Sequence, residues 1–335
     1  MKKLLAILCL GSLISLLAPV ASAQEQQLRM GTLAPKNSLY HRQLMGLGEA
    51  WRKAQGGGRY LVYPDGSQGG ETDMVRRMRI GQLQGALMSV VGLREIEPSI
   101  AALQAMPLMF RNWEEVDYVR EKMRPAMEKK FLDQGFVVLA WGDAGWVRFF
   151  SKKPARHPDD YKSMKFFAWG GESEQQEIMK RLGYTPVPLE TADILPSIQT
   201  GMIDAVPSTP YFALATQIYN TAGNMLDLNW APIVGALIVT KKSWDAMSPT
   251  TQQAVREAGA KAGAEIRAQA RKEVDEAVAA MQKRGLTVNT PDAAQMQAWN
   301  TLAERLYPQI RGRLVPAATF DEVVAHLKDF RAGKR

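Results

Sequence analysis

The sequence predicts an α/β protein of two lobes spanned by one long helix, and three observations carry that expectation. Strand-like and helix-like segments alternate between residues 28 and 90. The same order returns between residues 164 and 206. After Lys242 a stretch rich in alanine, glutamine, glutamate and arginine continues for longer than one lobe is wide.

The first unit opens with an extended run, Leu28 to Leu33, and Ser38 stands where a helix to about Ala54 needs its N-cap. Gly56-Gly57-Gly58 ends that helix, Arg59 to Tyr63 reads as the second strand, and Pro64-Asp65-Gly66 is turn chemistry. Thr72 is placed to cap the next helix, Gly81 to end it in the left-handed region, and Gln84 to Val90 forms a third strand. The alternation implies a largely parallel sheet.

In the second unit Met164 to Trp169 is a strand, Glu172 to Leu182 a helix and Gly183 its stop. Tyr184 to Leu189 is extended, Thr191 caps a helix that Gly201 ends, and Ile203 to Val206 is a strand. Arg79 to Ala86 and Gln199 to Val206 align by eye, each a helix end, a glycine and a strand start.

Ser248-Pro249 is a helix start, a cap followed by proline at the first helical position. The helix continues to Lys283, about 36 residues or about 54 Å, and crosses both lobes as a spine. Three shorter helical stretches follow, at 293–306, 307–314 and 319–330.

The first residues set the compartment. Lys2 and Lys3, an apolar run from Leu4 to Leu17 and the small-residue triplet Ala21-Ser22-Ala23 form a secretory signal peptide cleaved after Ala23. The apolar run is short for a membrane anchor. Cys9, preceded by bulky Leu8 within that run, is poorly placed for lipidation, and it is the chain's one cysteine. The expected division is a signal peptide at 1–23, a first lobe of 24–145 with about 235–265, and a second lobe of 146–234 with about 266–335.

Composition and motifs narrow the function. The formal charge is +8, but acids interleave with bases, as at Glu71, Asp73, Arg76, Arg77 and Arg79, which argues against nucleic acid as a partner. His41, His157 and His326 lack a second histidine or a cysteine at metal-ligand spacing, so no metal is expected. The nucleophile elbow, the dinucleotide fingerprint and the phosphate loop are absent. No catalytic residues and no cofactor are expected.

Aromatic density is the positive signal. Trp141, Trp146, Phe149, Phe150, Phe166, Phe167 and Trp169 crowd the junction of the two units, and Pro207, Tyr211, Phe212, Asn229 and Trp230 follow. Strand alternation puts Trp146, Arg148 and Phe150 on one face, and Phe167 with Trp169 on one face. Phe149, Phe150 and Phe166 are the expected core members. Tryptophans beside glycines belong at strand ends, where α/β sites form. Aromatics with Arg148 among them suit a mostly apolar ligand with a polar tip.

The chain resembles the solute-binding component of tripartite ATP-independent periplasmic (TRAP) transporters, the DctP-like family. The resemblance rests on Met30-Gly31-Thr32-Leu33-Ala34-Pro35, Val62-Tyr63-Pro64-Asp65-Gly66 with Gly69-Gly70-Glu71, Arg79-Ile80-Gly81, Met106 to Arg111, Arg148 to Pro154, Asp160 to Lys165 and Thr200 to Asp204. It implies a periplasmic binding protein of the hinged, two-lobed (type II-like, Venus-flytrap) kind that closes over a small-molecule solute and delivers it to membrane permease subunits. It also implies an arginine, two residues after the lysine matching Lys165, that holds a ligand carboxylate; this chain has Phe167 there. Arg148 matches a second family arginine. The expected ligand is therefore a hydrophobic or aromatic solute, a monocarboxylate among the candidates, rather than a C4-dicarboxylate. A subgroup with apolar pockets works with a tetratricopeptide-repeat protein, which is the further partner the resemblance implies. A periplasmic ligand sensor on the same fold is the alternative reading, and an enzyme on this scaffold a more distant one.

Overall fold

The structure is a computed structural model, and it describes residues 27–334; the signal peptide and its cleavage site lie outside the described residues. Among the described residues eleven strands form two sheets. The first contains β1 (Gln27–Thr32), β2 (Arg59–Tyr63), β3 (Gly85–Ser89), β4 (Phe136–Trp146) and β10 (Pro232–Thr240), in the order β2-β1-β3-β10-β4. The second contains β5 (Arg148–Ser151), β6 (Lys165–Trp169), β7 (Thr185–Leu189), β8 (Ala205–Ser208), β9 (Asn224–Leu226) and β11 (Thr287–Asn289), in the order β11-β9-β5-β8-β6-β7.

The two α/β units share one topology. β2-β1-β3 and β7-β6-β8 are both parallel triplets with the strand that comes first in the chain at the centre. An antiparallel strand borders each triplet, β10 beside β3 and β5 beside β8. The matched glycines end matched helices. Gly81 (φ 77°) follows the helix Glu71–Arg79, and Gly201 (φ 80°) follows Ile194–Thr200. Glycine carries no Cβ penalty in this left-handed region. The threonine caps differ from expectation. Gly70 stands at the first N-cap, and Thr191 opens a short 3₁₀ turn ahead of the second helix, so neither threonine side chain caps.

Ser248 caps the long helix Pro249–Gln282, its hydroxyl accepting from the Thr251 N–H. Ile266 packs in the core beneath the first sheet and Met281 in that of the second, so the helix joins both lobes. It lies directly on β4, because a Cβ at Gly263 would meet Ala140 Cβ at 2.7 Å and the Trp141 carbonyl oxygen at 2.8 Å.

Its middle is fixed by charge. The fully buried Asp143 carboxylate on β4 accepts from Arg271 of the long helix (2.6 Å) and from Arg120 of the helix Trp113–Asp133 (3.0 Å). Asp117 binds the same two arginines.

The C-terminal segment departs from expectation. One helix, Ala293–Ile310, replaces the two stretches expected at 293–306 and 307–314. Pro308 withholds one bond from the Glu304 carbonyl in the preceding turn, and the helix stops two residues later. The helix bridges the lobes. Trp299 packs against Phe149 and Tyr161 of the second lobe, while the Tyr307 hydroxyl donates to the Pro107 carbonyl of the first. The final helix, Ala317–Arg331, was expected in the second lobe. It packs on Trp113–Asp133 of the first instead, where Arg331 binds Glu115 and where Val323 and Leu327 join the core of Val116 and Val119.

Candidate functional site

A cavity of about 360 Å³ lies between the sheets. Its first-lobe wall is the turn after β1, Thr32 to Pro35, with the end of β3. The Thr32 hydroxyl accepts from the Ala34 N–H and holds that turn. The second-lobe wall is Pro207 to Thr209 with Tyr211 and Phe212, because the Thr209 hydroxyl caps the short helix Pro210–Ala215 that presents both aromatics. Tyr211 meets Tyr40 of the first lobe edge-to-face at 5.9 Å. The helix Ala293–Ile310 closes the back with Trp299, Leu302, Leu306 and Ile310, which its 3.6-residue turn sets on one face.

Of the residues singled out by sequence, Trp169, Pro207, Tyr211, Phe212 and Trp230 line the cavity. Arg148, Trp146, Trp141, Phe167 and Asn229 are not among its lining residues. Strand parity explains most of this division. Trp146 ends a strand of the first sheet and packs in that lobe's core, while Arg148 and Phe150 alternate with Phe149 on a strand of the second; Val147 and Phe149 are the ones that reach the cavity. On β6, Phe166 lines the cavity while Phe167 is buried with Ile194 and Ile198 in the second lobe's core; Trp169, at the strand's end, reaches the cavity as well. Phe149 and Phe166, expected in the core alone, therefore reach the cavity, and Phe150 stays in the core.

Arg148 pairs with Asp227, which stands opposite it beyond β9, so its charge is met there and not in the cavity. Trp141 donates from its indole N–H to Glu128 and packs on Phe131. Trp146 packs on Trp113 at 5.0 Å. Asn229 keeps a buried Oδ1 with no hydrogen-bond partner among the described residues.

Four charged residues line the cavity: Glu71, Arg94, Asp143 and Glu172. Asp143 is neutralised as described. Glu71 accepts from the Ser89 N–H and hydroxyl and from the Gly92 N–H, yet burial raises its carboxyl above the usual range. Arg94 pairs with Glu172 across the lobes at 3.1 Å. Burial pushes the Glu172 carboxyl up to about 7, with Arg94 pulling it down and Glu71 adding to the rise. Sequence reasoning passed over Arg94, Glu172, Tyr40 and Trp299. The apolar period of Trp299-Leu302-Leu306-Ile310 was readable, but which object that face would meet was not. Among the described residues no group of three or more His, Cys, Asp or Glu could hold a metal, and no helix is long and apolar enough to cross a membrane.

Two similar α/β lobes around a mostly apolar cavity, with crossing strands beneath it, define the class of two-lobed solute-binding proteins. The family model of the bacterial extracellular solute-binding protein, family 7 (DctP), matches residues 30–312. A solute-binding protein of Roseobacter denitrificans is 24% identical over 302 residues, covering 89% of this chain and 90% of that protein. Among solved structures, the sugar acid binding protein of Advenella mimigardefordensis with galactonate superposes with a TM-score of 0.83 at 15% identity, over 91% of this chain and 98% of that one. A TRAP periplasmic solute-binding protein of Shewanella oneidensis with bound succinate gives 0.82 at 15% identity, over 90% and 99%. The chain belongs to the DctP family: it is a periplasmic solute-binding protein of the TRAP type, a binder of small solutes and not an enzyme, and it works with membrane permease subunits.

Proposed function

We propose that the solute is predominantly apolar, aromatic or aliphatic, and carries at most one carboxylate. A single observation carries this reading. Arg94 is the one cation among the described residues lining the cavity, and Glu172 already neutralises it. A dicarboxylate or a sugar acid in this cavity would leave charge or hydroxyl groups unmatched against Phe149, Phe166, Trp230 and Trp299, at a cost of roughly 1–3 kcal/mol for each unpaired polar group. Solved structures of the same fold hold galactonate and succinate, so this reading requires that the cavity lining set the ligand. Trp169, Pro207, Tyr211, Phe212 and Trp230 are the sequence-derived contacts in this reading, and Tyr40, Thr209 and Ser208 offer hydrogen bonds to a polar end.

Binding closes the lobes about the crossings at Trp146 to Arg148 and Trp230 to Pro232, the lobe boundary running through both. A thermal-shift screen of aromatic and aliphatic monocarboxylates against succinate and galactonate tests the ligand class, since a ligand at a hundred times its Kd stabilises by about 2.7 kcal/mol. Stabilisation by succinate or galactonate alone would overturn the reading. Export with cleavage after Ala23 belongs to the same proposal, and N-terminal sequencing of the exported protein should start at Gln24. So does a tetratricopeptide-repeat partner, supported by the apolar lining and tested by co-purification with the tagged chain.

A further inference from the structure

The charged groups that line the cavity have partners already. Arg94 and Glu172 meet each other, Asp143 meets Arg120 and Arg271, and Glu71 accepts from Ser89 and Gly92. Hydrogen-bonding capacity left for a solute therefore lies with uncharged side chains, and Gln104 of the first lobe has it. Gln104 lines the cavity, and its Oε1 is buried with no hydrogen-bond partner among the described residues. An acceptor withdrawn from water and left unpaired costs free energy that a matching donor removes.

Local structure aims the side chain there. Pro98–Leu103 is a 3₁₀ helix, on which side chains three residues apart lie over one another. Ala101 and Gln104 accordingly share a face and both line the cavity, while Ile100, Ala102 and Leu103 stay in the first lobe's core. Around it Ala101 and Ala105 pack in one apolar cluster with Ile178, Leu306 and Ile310, which also line the cavity. Two other cavity residues keep a buried oxygen unpaired, Tyr161 and Thr191. The Tyr161 hydroxyl lies beside Ser151, and a hydroxyl turns about its own bond to find such a neighbour. The Gln104 carboxamide instead fixes an acceptor and two donors in one plane.

We infer that Gln104 selects an uncharged hydrogen-bond donor on the solute, a hydroxyl or an amide N–H set in an otherwise apolar body. This deepens the apolar-solute reading and rests on it. A carboxylate has no proton to offer Oε1, and a plain hydrocarbon leaves it unpaired. A hydroxyl or amide satisfies it, and its own oxygen can accept from the Gln104 amide in return. Such selection is steep, because a site that holds a polar group strands it when the matching group is missing.

Titration calorimetry of the full protein with matched compounds tests it: benzoate against its monohydroxy derivatives, and hexanoate against hexanamide and ω-hydroxyhexanoate. At least one derivative should bind about tenfold more tightly than its parent. In Gln104→Met, which keeps the length of the side chain and removes its polar atoms, that preference should fall to about twofold or less, with the parent bound as well as before. Gln104→Ala gives a second reading where the methionine does not fit. No derivative tighter than its parent, or a preference unchanged in both variants, would overturn the inference and leave the apolar-solute reading intact. Binding of succinate or galactonate with none of these compounds bound would overturn both.

Discussion

Arg94 on the first lobe and Glu172 on the second face each other 3.1 Å apart across the cleft, and both side chains are largely removed from water. A charge pair that spans two lobes exists only while they are together, so it favours the closed form by whatever it contributes beyond the hydration of its members.

Arg94→Gln should therefore shift the ligand-free protein toward the open form. Removing one member of a buried pair strands the other, at a cost of about 3 kcal/mol. Small-angle scattering should show a larger radius of gyration for the ligand-free variant than for the unmodified protein, with the difference shrinking on saturation with ligand. Identical scattering from the two proteins would mean that the pair does not hold the lobes together.

Burial of the Glu172 carboxyl gives stability a pH dependence. The Glu172 carboxyl, about 7 in the folded protein against 4.5 for an unburied glutamate, holds its proton more tightly folded than unfolded. Its stabilising effect is then fully present below about pH 4.5 and is lost as the pH rises through about 7, up to about 3 kcal/mol. Glu71 is raised as well and adds to the loss in the same direction. Urea midpoints measured from pH 5 to pH 8 should fall less steeply for Glu172→Gln than for the unmodified protein. Parallel profiles would remove Glu172 as the titrating group.

Arg148→Ala should leave the ligand's dissociation constant within about twofold, because the guanidinium meets Asp227 and not the cavity. Its loss should appear as a modest fall in stability, about 1 kcal/mol, the pair being partly exposed on the Asp227 side. A tenfold weaker affinity in titration calorimetry would put the arginine back in the site.

Phe167→Arg should unfold the second lobe instead of recruiting dicarboxylates. Phe167 is 1% exposed and packs on Trp169 at 4.6 Å, so an arginine there loses the phenyl packing and buries an unpaired charge. The phenyl loss alone costs about 3–5 kcal/mol. A variant that denatures at the same urea concentration as the unmodified protein would show that the position opens to solvent.

Much of the fold was legible in the chain because its punctuation is local. Ser38, Gly81, Gly201, Ser248 and Pro249 act on their own neighbours, and the helices they bound run close to where the sequence put them. The site was less legible because a strand's period of two fixes which residues share a face but not which face meets the ligand. Arg148 and Phe150 turn away from the cavity that Phe149 reaches, and Trp146 belongs to the other sheet. Val147, an ordinary aliphatic, carried no signal at all. Arg94 and Glu172 become a pair only when the lobes meet, a relation that neither local sequence contains. The path of Ala317–Arg331 back to the first lobe depended likewise on the Arg331–Glu115 contact across the chain.

The clamp at Asp143 has a mechanical consequence. With Arg271 tied to Asp143, and with Gly259 and Gly263 seated on β4, the long helix is a rod gripped along the first lobe as far as its middle. A lobe that swings about such a grip moves least beside it and most at the far rim. Val147 and Ala231 sit near the pivot, whereas Gly70 and Glu190, whose side chain approaches it across the cleft, sit at the rim. On the proposed closure the aromatic end of the cavity would keep its shape before and after the solute arrives, and the mouth alone would act as the door. Selection by shape would then belong to the hinge end, and the timing of entry and release to the rim.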